Sequence, residues 1–135
     1  MASPMFKSSY SVLSDPRQPE VHASTLLLVE GKLLSAWFGG TKEGHPDTKI
    51  WRSGCDLAQS DASWSKPYAV AAKVGLAHWN PVFLFVPETE TILLFYKVGS
   101  PISSWYTMII ESKDGGDTWS TPRELVPGDR GAYHR

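Results

Sequence analysis

The strongest constraint on the fold is a tetrapeptide that returns. Trp64-Ser65-Lys66-Pro67 and Trp119-Ser120-Thr121-Pro122 stand 55 residues apart. Each belongs to a similar run of short apolar segments. The first run is His22–Val29, Lys32–Phe38, Asp47–Arg52 and Tyr68–Ala72. The second is Asn80–Val86, Thr91–Val98, Trp105–Ser112 and Arg123–Val126. The segments are rich in Val, Ile, Thr, Phe and Tyr, which suit a pleated, half-buried surface. None sustains a 3.6-residue apolar period over three helical turns, so strands are expected throughout. Glu30-Gly31, Gly39-Gly40, Pro87–Glu90 and Asp114–Asp117 carry turn chemistry between them.

A repeat near 55 residues with about four strands per unit is the signature of a propeller blade. Leu33-Leu34 and Leu93-Leu94 stand 60 apart, so loop lengths differ within the repeat. The expected fold class is all-β, a partial β-propeller of about two four-stranded antiparallel blades. The expected division is an irregular lead-in over 1–20, one blade over 21–75, a second over 76–127 and a tail over 128–135. The competing architecture is one small β-sandwich that reuses the tetrapeptide. A blade cannot bury both faces alone, so blades stack around an axis. A chain of 135 residues holds too few blades to close a ring of typically 4–8. The sequence therefore reads as a two-blade fragment. Its open edge strands are templates for self-association.

Charge and composition narrow the partners. Lys plus Arg is 13 and Asp plus Glu 14, so no basic excess favours nucleic acid. Cys55 is the single cysteine, which excludes an intramolecular disulfide and suits a small apolar filler. No apolar run reaches the length of a signal-peptide core or a membrane span. The default expectation is a soluble intracellular chain without membrane contact. His45, His78 and His134 follow no metal-ligand spacing, and no phosphate-binding loop occurs, so no metal or cofactor is expected.

Ser112-Lys113-Asp114-Gly115-Gly116-Asp117-Thr118-Trp119 fits the spacing S-x-D-x-G-x-T-W at every fixed position. It resembles the Asp box of the sialidase-like (bacterial neuraminidase repeat) propellers. The residues explain a structural role. The Asp114 carboxylate can accept turn N–H groups, Gly116 can take a backbone shape barred to others, and Trp119 returns a large apolar surface to the core. Ser112, Asp114, Gly116, Thr118 and Trp119 are thus read as structural. Gln59-Ser60-Asp61-Ala62-Ser63-Trp64 looks like a degraded copy. The likeness to a predicted-neuraminidase subgroup extends to His22-Ala23-Ser24-Thr25, to Ala36–Gly44 with Asp47, Ile50 and Trp51, to Trp79-Asn80-Pro81-Val82 and to Leu94–Gly99.

Turns alternate between the two ends of an antiparallel blade. His22, Lys42, Glu43, Asp47, Trp79, Asn80, Lys97 and Trp105 should therefore share one rim, opposite the Asp box. Polar groups converging at strand ends are the usual layout of a ligand site. The resemblance implies action on a glycan as an exo-glycosidase. Asp47 falls where the family's acid/base carboxylate could stand, and Lys42, Glu43, Asn80, Lys97 and Trp105 are candidates for sugar contact. The resemblance also implies an arginine at the start of the first inner strand, because guanidinium forks orient a carboxylate. His22-Ala23-Ser24 stands there instead. A uronate lyase would suit that change, with His22 handling a proton and Lys97 or Lys42 neutralising the sugar carboxylate. The third alternative is a non-catalytic fragment or weak glycan-binding module.

Overall fold

The structure, a computed structural model, describes residues 15–130. The lead-in before Asp15 and the tail after Arg130 lie outside the described residues. Eight strands form: β1 (Glu20–Val29), β2 (Lys32–Gly40), β3 (Lys49–Asp56), β4 (Tyr68–Ala71), β5 (His78–Val86), β6 (Thr91–Val98), β7 (Tyr106–Ser112) and β8 (Arg123–Glu124). They make two four-stranded antiparallel sheets in sequential order, β1 to β4 and β5 to β8. The only helical pieces described are two single turns, Pro87–Thr89 and Ile102–Ser104. No described helix is long and apolar enough to cross a membrane.

Local chemistry sets the hairpins. Glu30 and Gly31 both take positive φ, 49° and 77°, as a two-residue turn between twisted strands requires. Glu90 plays the left-handed part after the single turn Pro87–Thr89, with φ 50°. The Trp-Ser-x-Pro repeat also has a backbone reason. Ser65 N–H donates to the Gly54 carbonyl at 2.8 Å, and Gly54 N–H returns to Ser65 Oγ at 3.0 Å. Ser120 and Glu111 make the same reciprocal pair at 2.8 and 2.9 Å. The serine hydroxyl thus replaces a strand partner just where the chain leaves the third strand of each sheet.

The two sheets pack face to face. Leu34, Ala36, Phe38 and Ile50 of the first sheet meet Phe83, Ile92, Leu94, Tyr96, Val98 and Ile110 of the second. Strand β5 lies against β1, β2 and β3. Burying each such side chain contributes about 1.5–3 kcal/mol relative to exposure. The register makes the repeat explicit. A bulge separates His22 from Thr25 in β1, and one separates Trp79 from Val82 in β5. Leu27 faces Leu34, and Leu84 faces Leu93. The fold therefore equates Leu34 with Leu93, not with Leu94 as the sequence spacing implied.

Candidate functional site

At the rim that carries the β2–β3 and β6–β7 loops, aromatic rings run across both sheets. His22 stacks on Phe38 at 5.4 Å between centroids, Phe38 meets Trp79 at 5.5 Å, and Trp79 meets Trp105 at 5.0 Å. Trp79 Nε1 donates to the Gly99 carbonyl at 2.7 Å. Trp105 is half-buried, and its Nε1 is buried without a hydrogen-bond partner. His22 is exposed at one end of the row, its Nε2 lying 3.6 Å from Glu20 Oε2. That same Glu20 oxygen accepts the Glu43 N–H at 3.0 Å, which holds the Glu20 carboxyl below the usual carboxylate range. Gly44 then abuts the Trp79 ring, where an added Cβ would sit 3.3 Å from it.

The loop Thr41–Thr48 gains its shape from Asp47. The Asp47 carboxylate accepts the Thr41 hydroxyl, accepts the Thr41 N–H at 3.0 Å, and lies 2.8 Å from His45 Nδ1. Gly40 makes room: a Cβ there would fall 2.5 Å from Asp47 Oδ1. The Thr41 hydroxyl and N–H hold the Asp47 carboxyl below its ordinary value. The carboxylate thus clamps the two ends of the loop together. Lys42 and Glu43 are exposed on the same loop.

Asn80 is exposed and sits in the β5 bulge with φ 46°; Ala23 holds the matching place in β1 with φ 55°. Non-glycine residues in this region carry strain of order 1 kcal/mol, and bulges at sheet rims re-aim side chains. Lys97 behaves differently. Along β6 its neighbours Tyr96 and Val98 face the first sheet, so alternation turns Lys97 away from it. Its Nζ donates to Thr107 Oγ1. Within one chain, Lys97 and His22 therefore stand on different sides of the second sheet.

Sequence reasoning missed Glu20 and Phe38. A signal for Glu20 exists: it precedes His22 by two residues in a strand, which places both on one side. Phe38 reads only as core, and its tie to two rim rings, His22 and Trp79, needs the packing.

The Asp box lies at the opposite end. Asp114 Oδ1 accepts the N–H groups of Asp117 and Thr118 at 3.1 and 2.9 Å and the Ser112 hydroxyl at 2.8 Å. The Thr118 hydroxyl binds its other oxygen, and this bond contributes most to holding the carboxyl far below its ordinary value. Trp119 stacks on Phe83 at 6.4 Å, within the core. In the first sheet, Asp56 Oδ1 accepts the Ala58 N–H at 3.0 Å, so a carboxylate other than Asp61 caps that turn. Tyr68 OH donates to the carbonyls of Gly116 and Asp117, at 3.2 and 3.0 Å, which fastens the box to the neighbouring sheet.

Two blade-like four-stranded sheets packed face to face, one of them closed by an Asp box, define a propeller-type protein built from repeats. The BNR repeat-like domain matches residues 31–134, and the chain belongs to that family. No curated protein matches the sequence significantly.

Proposed function

We propose that this BNR-repeat chain binds carbohydrate at the rim formed by His22, Trp79, Asn80 and Trp105, as a segment of a sialidase-like, glycan-acting propeller. The row of rings across both sheets carries the reading. Aromatic faces give a sugar's apolar C–H face a flat partner at low entropic cost, while their polar edges tolerate water. Glu20, Glu43 and the Asn80 carboxamide supply the few polar groups that fix orientation. Asp47 shapes the loop beside them. A second reading rests on one distance. His22 beside Glu20 at 3.6 Å is oriented for proton transfer, as a β-elimination would require. That chemistry would also need a cation; Lys97 is turned away, which leaves Lys42, exposed on the loop beside Glu43.

The test is a titration of the tryptophan indole NMR signals with methyl glycosides of neutral and acidic hexoses. Trp79 and Trp105 signals are expected to move at millimolar sugar, and Trp105→Ala to weaken binding at least about tenfold. Unmoved indole signals with every sugar would sink the reading.

A further inference from the structure

The rings at the rim offer a place for a sugar, and the charges around them bear on which sugar fits. Every described arginine has a carboxylate partner: Arg17 with Asp15, Arg52 with Asp117, Arg123 with Glu111 and Arg130 with Glu124. Arg52 lies beside Gly116, at the Asp-box end. Arg17 and Lys49 lie over Trp51, which alternation with the core residue Ile50 turns away from the second sheet. Lys73 and Arg130 gather over the Tyr106 ring. Lys97 is held by Thr107 on the outer face of the second sheet. A guanidinium fork is the group that best fixes a ligand carboxylate, and these forks are engaged elsewhere.

Carboxylates border the row instead. Glu20 Oε2 accepts the Glu43 N–H at 3.0 Å and lies 3.6 Å from His22 Nε2, while half of the Glu20 side chain stays exposed. The Glu43 N–H holds that carboxyl below the usual carboxylate range, so it is ionised at neutral pH. Gly44, next in the chain, abuts the Trp79 ring, which is central to the row. Across the loop Thr41–Thr48, Glu43 and Asp47 outnumber the single lysine, Lys42. An ammonium here gains twice, from the carboxylates and from the negative faces of the rings. A sugar carboxylate meets repulsion with no fork to offset it.

We propose that the rim selects its sugar by charge: a hexosamine with an unsubstituted amino group binds tightest, a neutral hexose less tightly and a carboxylated sugar least. The selection rests on the carbohydrate reading given above and names the substrate class for it. It also gives His22 a chemical meaning in the place where an arginine was expected. An imidazole held beside a carboxylate suits an amine rather than an acid.

The test is a titration of the tryptophan indole NMR signals of the full chain with methyl glucosaminide, methyl glucoside and methyl glucuronide. At about pH 7 and low salt, the glucosaminide is expected to bind at least about fivefold tighter than the glucoside, and the glucuronide at least about fivefold weaker. The spread should shrink in about 0.5 M salt. Glu20→Gln keeps an acceptor for the Glu43 N–H, so its melt should match wild type while the amine loses most of its advantage. Glu88→Gln, the same charge change at an exposed position on the opposite rim, should keep the full spread. Equal binding of the three sugars overturns the selection and leaves carbohydrate binding standing. A glucuronide that binds tightest overturns it in favour of the elimination reading. An amine advantage that survives Glu20→Gln overturns the assignment to this carboxylate. Signals unmoved by all three sugars overturn the selection and the carbohydrate reading together.

Discussion

A carboxylate and two serines show how much single residues decide here. Asp114 satisfies backbone donors that a tight turn would otherwise leave to water, and it remains ionised because hydroxyl and N–H groups surround it. Its folded-state value lies below the ordinary 3.8, so its contribution is present above about pH 4 and is lost as the pH falls. Asp114→Ala should lower Tm clearly at pH 7. The gap to wild type should narrow by about pH 3, as paired thermal melts would show. This role was legible in the sequence because every partner lies within a few residues. The serines of the tetrapeptides were not, since their partners sit on the preceding strand. Asp47 was legible as a rim residue, but its partner Thr41 was not, because that hydroxyl is chosen by loop shape.

At the level of elements, the inner strands are the informative parts. Both begin with a bulge that puts a non-glycine residue at positive φ, Ala23 in one and Asn80 in the other. Alanine gains nothing from that conformation, whereas asparagine tolerates it through local hydrogen bonding. Ala23→Gly should stabilise the fold by about 0.5–1 kcal/mol in urea unfolding, and Asn80→Gly should be near neutral. Equal gains at both sites would show that Asn80 is strained without recompense. The strands themselves were readable from branched and aromatic runs, with ends within a few residues. The bulges were hidden because no glycine marks them, and register emerges only when strands pair.

For the whole molecule, the joint between the sheets is the critical feature. His78 N–H donates to Thr48 Oγ1 at 2.8 Å, and its buried ring stacks on Tyr96. Nε2 accepts the Lys73 N–H at 3.1 Å and Nδ1 donates to the Leu76 carbonyl at 2.9 Å, so the ring is neutral with both nitrogens used. Burial depresses its value below the ordinary 6.5. Between those two values the unfolded chain binds the extra proton, so stability falls as pH drops through about 6.5. Chemical denaturation between pH 8 and 5 should show this slope, and His78→Gln should remove it while lowering stability at pH 8. An unchanged slope in the variant would place the titration elsewhere.

The sequence by itself determined the strands, their grouping into two four-stranded sheets and the Asp box. Alternation, turn residues and short-range capping are written within a few positions of where they act. It could list rim candidates but not sort them. The tertiary structure decided that Glu20, His22, Phe38, Trp79 and Trp105 come together, that Asp47 holds a loop, and that Lys97 turns away. It also decided that His78 is a joint between the sheets. These outcomes depend on register and on which face each sheet offers its neighbour. Both are settled only when segments distant in the chain bury their apolar surfaces against one another.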